Sequence, residues 1–224
     1  MGRGMRIGIR MTALLAFAIG VPLLATAEEA PVTIVTGRPA TMDRMTVFVG
    51  EKLAVERFTP DLAPNEMLLD AAFHAKYRVL QTVQSDDPGE VIEFTVYDHY
   101  GEPAFGRFQH VLLFVNRTDD GYFHAKYQFY PVFLTRGGMW AGCGPVGKYD
   151  AEQRRGIATA KPMDFGPDAY FPLDSEKTPA ENRRDYPPQH FRIEGARAYC
   201  LTGSRLQELI EIKRRTVFQD AGRD

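Results

Sequence analysis

Two cysteines and five histidines, set among scattered carboxylates, are the chemically capable side chains of this 224-residue sequence. Cys143 and Cys200 are its only cysteines. In an oxidising compartment two such thiols are expected to form one disulfide, closing a loop of more than fifty residues. Chain entropy gives that link about 4 kcal/mol. The competing reading makes Cys143 a nucleophile within Ala141-Gly142-Cys143-Gly144, with His190 as its base. A catalytic thiolate needs a close imidazole and an electropositive setting, and the sequence displays neither. The disulfide is the expectation.

Asp98, His99 and Glu102 form the second group, near the end of a strand-like run. Together they would suit a hydrolase, with the imidazole as base and the carboxylates orienting it or sharing acid–base work. Against this, neighbours on a strand point to opposite faces, which parts Asp98 from His99. No H-x-H or H-E-x-x-H spacing occurs, so no metal site is expected. Nucleophile-elbow, P-loop and dinucleotide signatures are also missing, and no cofactor is expected. These residues stand as an alternative to a chain without catalytic residues.

Three further features bear on binding. The pentapeptide Phe-His-Ala-Lys-Tyr occurs at 73–77 and again at 123–127. Strand alternation turns its aromatic and Ala positions inward and sets His74, Lys76, His124 and Lys126 outward. Two such strands would offer cations to an anionic group, or would simply be solvated sheet surface. Trp140 stands in a glycine-rich stretch beside Cys143, as a ligand platform or as a plug for one end of a barrel.

The elements that must carry these residues are mostly strands. The stretch 45–55 is β-branched, with a break or bulge near Gly50. Phe73 to Val79 and Ile92 to Val96 alternate, and turn residues follow each. Residues 111–115 are apolar at every position, so that strand needs cover on both faces. Asp119-Asp120-Gly121 then signals a hairpin into an alternating run from Phe123. Residues 91–140 hold 13 of the 26 aromatic residues and should form the core. An antiparallel meander over 45–142, curled into a small barrel or half-barrel, follows as a mainly β (α+β) fold.

The stretch 143–200 holds seven of the 15 prolines and shows no period, which predicts an irregular excursion clamped by the disulfide. A helix closes the chain within 201–224, capped by Ser204 with Gln207 three positions on. Leu206, Leu209, Ile210 and Val217 form its apolar stripe, the natural cover for the two-sided strand.

Residues 1–27 read as a secretory signal. Arg3, Arg6 and Arg10 precede an uncharged run of 14 residues, and Ala25-Thr26-Ala27 supplies the exit. That run is shorter than the roughly 20 residues a membrane-spanning helix needs. An arm at 28–44 leads into the β domain. Cleavage after Ala27 removes three Arg and no acid, so 27 basic residues become 24 against 29 acidic ones. Such an acidic balance speaks against nucleic acid as a partner, and no membrane span is expected after cleavage.

In pattern, residues 45–140 resemble small exported β-barrel modules of the OB and tissue-inhibitor kinds. No helix falls between the third and fourth strands and no Cys opens the cleaved chain, and the resemblance assigns no residues. The expectation is a periplasmic or secreted binding protein without catalysis, docking or inhibiting another envelope or secreted protein. An envelope hydrolase and a small-ligand carrier using the barrel mouth are the alternatives.

Overall fold

The computed structural model describes residues 33–34, 42, 45–84 and 88–218. The leader at 1–27, most of the arm at 28–44, and the tail at 219–224 lie outside the described residues. Two residues of the arm, Thr33–Ile34, pair in parallel with Glu66–Met67.

Five strands make the main sheet: β1 (Met45–Phe58), β2 (Ala71–Gln84), β3 (Val91–Asp98), β4 (His110–Thr118) and β5 (Gly121–Pro131). They close into a barrel in the order β1-β2-β3-β5-β4, with β4 returning to β1. The first three strands follow one another as a meander. β5 then lies between β4 and β3, so the expected meander gives way to a Greek-key order after the third strand. The β3–β5 seam is thin, a parallel pairing at Thr95 and Phe123. Every other pairing in the ring is antiparallel.

β4 governs this arrangement because both its faces must stay dry. Val111, Leu113 and Val115 point into the barrel among Phe48, Tyr77 and Phe94. Leu112 and Phe114 point outward and pack with Leu206, Leu209, Ile210 and Ile212. Those four belong to α3 (Leu206–Thr216), so the closing helix covers the outer face. Each buried side chain of this size contributes roughly 2 kcal/mol of apolar transfer. The 3₁₀ turn Ala104–Arg107 joins β3 to β4 and drops Phe105, 1% exposed, into the barrel. Phe105 meets the rings of Tyr77 at 5.9 Å, His124 at 4.7 Å and Phe129 at 6.0 Å.

The expected irregularity near Gly50 is a register shift inside one continuous strand. A Cβ at Gly50 would come within 2.9 Å of the Tyr77 ring and 2.8 Å of Phe48, so the strand passes Tyr77 only without a side chain there.

The stretch expected to be irregular holds short regular elements instead. After β6 (Phe133–Leu134) and β7 (Trp140–Cys143) come α1 (Gly147–Arg154), β8 (Lys161–Pro162), β9 (Tyr170–Pro172), α2 (Pro179–Asp185), β10 (Phe191–Glu194), β11 (Arg197–Cys200) and β12 (Thr202–Arg205). They build two small sheets, ordered β8-β12-β7-β6 and β9-β11-β10. Phe165, Phe171, Phe191 and Ala198 form a third core there with Cys143 and Cys200. Elements of two to eight residues are too short to print a period, which is why the sequence read as coil.

Cys143 and Cys200 are disulfide-bonded, their Cα atoms 5.6 Å apart. This excludes a free Cys143 nucleophile in this state. Ser204 is not the helix cap. It lies fully buried in β12 and accepts a hydrogen bond from Arg154 Nη1 at 2.8 Å. Glu208 caps the helix by accepting from the Arg205 backbone N–H at 2.8 Å. Val217 falls beyond the last helical residue, and Ile212 takes the place expected for it in the stripe.

Candidate functional site

The histidines and lysines of the repeated pentapeptide do not share a patch. In the first copy Phe73, Ala75 and Tyr77 are buried, and His74 and Lys76 face outward as alternation requires. His74 stacks on Phe58 with ring centres 3.8 Å apart, and Lys76 pairs with Glu93 at 2.5 Å. The second copy has the opposite parity. His124 points into the barrel against Phe94 and Phe105, while Ala125 packs on the outer core beneath α3. Because α3 dries the outside of β5 as well, an apolar residue there no longer marks the inner face. The outward placement expected for His124 is therefore overturned.

The His124 ring donates from Nε2 to the Gln128 carbonyl at 3.0 Å, since a carbonyl only accepts. Burial depresses its pKa from 6.5 to about 4, a loss the Gln128 bond only partly offsets, so the ring is neutral. This bond spans a bulge in β5. Between Leu113 and Val115 on β4, the partners on β5 step from Phe129 to His124. Within the bulge Gln128 Nε2 donates to the Lys126 carbonyl at 3.1 Å, and Tyr127 takes φ 66°. It is the one non-glycine residue with positive φ among the described residues. That conformation costs a tyrosine roughly 1–2 kcal/mol.

The bulge lifts Lys126 and Tyr127 toward the end of β3. Pairing of Ala71 with Asp98 sets Asp70 beside His99. Lys126 Nζ donates to Asp70 Oδ2 at 2.6 Å, and His99 Nδ1 lies 3.4 Å from Asp70 Oδ1. Tyr100, 85% exposed, meets the His99 ring at 5.5 Å and the Tyr127 ring at 5.7 Å. Lys126 lies 5.3 Å from the Tyr127 ring centre. Tyr97 and Phe123 stack at 6.4 Å across the β3–β5 seam. Partial burial opposes the charge on Lys126, but the hydrogen bond and the charge of Asp70, together with Tyr127, raise its pKa, so its ammonium stays charged.

Asp98, His99 and Glu102 are not brought to one point. Asp98 Oδ1 accepts from the Tyr100 backbone N–H at 2.9 Å and shapes the turn. His99 instead meets Asp70, and the Glu102 carboxylate lies by Gly106. Among the described residues no three His, Cys, Asp or Glu side chains gather as a metal site. Asp70 can orient His99, whose imidazole side chain is 59% exposed. Asp70 was legible only as a polar residue ahead of a strand; its role depends on the β2–β3 register.

Trp140 is half-buried, its ring 4.9 Å from His110 and packed against the outer core beside α3. It neither fills the barrel nor lines the nearby cleft of about 380 Å³ at Met139, Met163, Lys161 and Arg205. No protein-family model matches the chain, no curated protein is similar to it, and no solved structure matches its fold. Among the described residues no helix is long and apolar enough to cross a membrane. The disulfide fits an oxidising location.

Proposed function

We propose that this chain is an exported, non-catalytic binding protein that docks another protein of the envelope or the extracellular space. Inhibition or protection of that partner is the role the arrangement suits. The observation that carries the reading is Tyr127, held at φ 66° on a bulge that sets its ring against the exposed Tyr100. A conformation that costs free energy and displays a side chain to solvent points to a use for that side chain. Tyrosines joined by an anchored lysine and histidine give large, rigid, amphipathic contact at low entropic cost. The leader pattern at 1–27 and the single disulfide support export to an oxidising compartment.

A photo-crosslinking side chain at Tyr100, in the full chain expressed in the cells that make it, tests this. The expected result is one protein adduct near stoichiometric yield, reduced at least tenfold by Tyr127→Ala. The same probe at Lys148, exposed on α1, should give none. No adduct at Tyr100, or equal yield at Lys148, overturns the reading.

A further inference from the structure

The sheet β9-β11-β10 has one face in the third core and one in solvent. Pairing places Tyr170, Tyr199 and Arg192 in one row across it and Pro172, Arg197 and Glu194 in the next. These two rows share the outer face, because residues two apart on a strand point the same way. The inner row contains Phe171 and Ala198, both buried.

The outer face is an aromatic pair flanked by two guanidiniums. Tyr170 and Tyr199 have ring centres 5.5 Å apart. Arg197 lies 4.3 Å from the Tyr170 ring centre, and Arg192 lies 5.7 Å from that of Tyr199. The two arginines differ in what occupies them. Arg192 Nε is already paired with Glu194 at 2.8 Å. Arg197 is held by aromatic groups, donating from Nη1 to the Tyr199 hydroxyl at 3.4 Å and lying over Tyr170. Asp168 acts on it only through its field. Stacking fixes the plane of the guanidinium and leaves donors along its edge for a planar, two-oxygen acceptor.

Charge selects the partner. The chain as a whole carries 29 acidic against 27 basic residues, and the expected cleavage removes three of the basic ones. On this face Arg192 is matched by Glu194, and Asp168 acts on Arg197 only through its field. Arg197, held by rings rather than by a carboxylate, is therefore the group that a carboxylate-bearing partner can engage. Arginine and tyrosine are also the residue types that carry most binding energy in protein interfaces.

We propose that this face docks an acidic segment of a partner protein. Arg197 takes a carboxylate through two parallel hydrogen bonds, and the Tyr170 and Tyr199 rings cover the side chains beside it. The face is separate from the Tyr100–Tyr127 patch, and the inference does not depend on that patch being used.

The test is a titration of the full chain, leader removed, with octaglutamate, followed by NMR at the Tyr170 and Tyr199 rings and the Arg197 side chain. Octalysine and inorganic sulfate at matched ionic strength are the controls. Saturable shifts confined to these residues are expected with octaglutamate alone. Arg197→Lys should weaken binding at least fivefold, because an ammonium keeps the charge but loses the fork, and Tyr170→Ala should weaken it comparably. Folding of both variants is checked by the unchanged ring shifts of Phe171 and Phe191 in the core beneath. The proposal is overturned by no saturation at millimolar octaglutamate, by equal shifts with sulfate, or by undiminished binding in Arg197→Lys.

Discussion

The Lys213 ammonium lies 4.7 Å from the centre of the Tyr130 ring, inside the layer where α3 meets α1 and the barrel. Lys213 is only 5% exposed. Arg154 lies 5.8 Å from the same ring, and its Nε is bonded to Asp150 at 2.9 Å. Asp150 also accepts from the Val146 N–H at 3.0 Å. Two buried cations therefore face one carboxylate that is already engaged by Arg154. Lys213 keeps Gln153 Oε1 at 3.3 Å and the face of the tyrosine.

Burial pushes the Lys213 pKa down from 10.5 to about 8, Asp150 opposing the change and Arg154 adding to it. The unfolded chain holds its proton up to about 10.5, whereas the folded chain releases it near 8. Stability therefore rises with pH across that window, by roughly 3 kcal/mol, and the full penalty applies below it. Thermal melts between pH 7 and 10.5 should show this rise. Lys213→Met should flatten it and melt higher at pH 7. A flat wild-type profile would remove the argument.

His124 predicts the acid side. Its folded pKa of about 4 lies below the ordinary 6.5. From pH 6.5 down to 4 the unfolded chain takes up a proton that the folded chain refuses, so acid favours unfolding. Up to about 3 kcal/mol should be lost over this range. Urea titrations at pH 7 and pH 4.5 measure it. His124→Gln should lose this pH dependence, and amide exchange should quicken at residues 125–128, which the imidazole holds.

The disulfide closes a loop with a sequence separation of 57, for which chain entropy gives about 4 kcal/mol. Replacing Cys143 and Cys200 together by Ala should lower stability by that order. Exchange protection should fall first in β9, β10 and β11, whose core includes both cysteines. Protection in β4 should persist, because α3 and the barrel interior cover it independently. Equal loss in both regions would show that the two cores unfold as one.

Gly203 is the tightest backbone crossing in the β12–β7 pair. A Cβ there would lie 2.6 Å from the Gly142 carbonyl oxygen and 2.7 Å from Phe165 Cζ. Backbone cannot move aside as a side-chain tip can, so Gly203→Ala should cost ~2–3 kcal/mol. Gly106→Ala, where the closest atom is the Glu102 carboxylate at 3.4 Å, should cost much less. Paired denaturation curves make the comparison.

Much of the barrel was written in the sequence as alternation. Phe73, Ala75 and Tyr77 face inward because a strand with one wet face needs period two, and the uninterrupted apolar run at 111–115 demanded a cover that α3 supplies. The pairing of Cys143 with Cys200 followed from there being no other cysteine.

Only the tertiary structure decided which strands are neighbours and therefore which distant side chains meet. His124 turned inward once α3 dried the outside of β5, because local pattern cannot report a partner more than eighty residues away. Asp70 joined His99 and Lys126 through the β2–β3 register and the β5 bulge, and Arg197 reached Tyr170 through pairing of strands two to four residues long. Alternation sets a strand's faces, but register and order come from packing the whole chain, so the core was legible in advance and the sites were not.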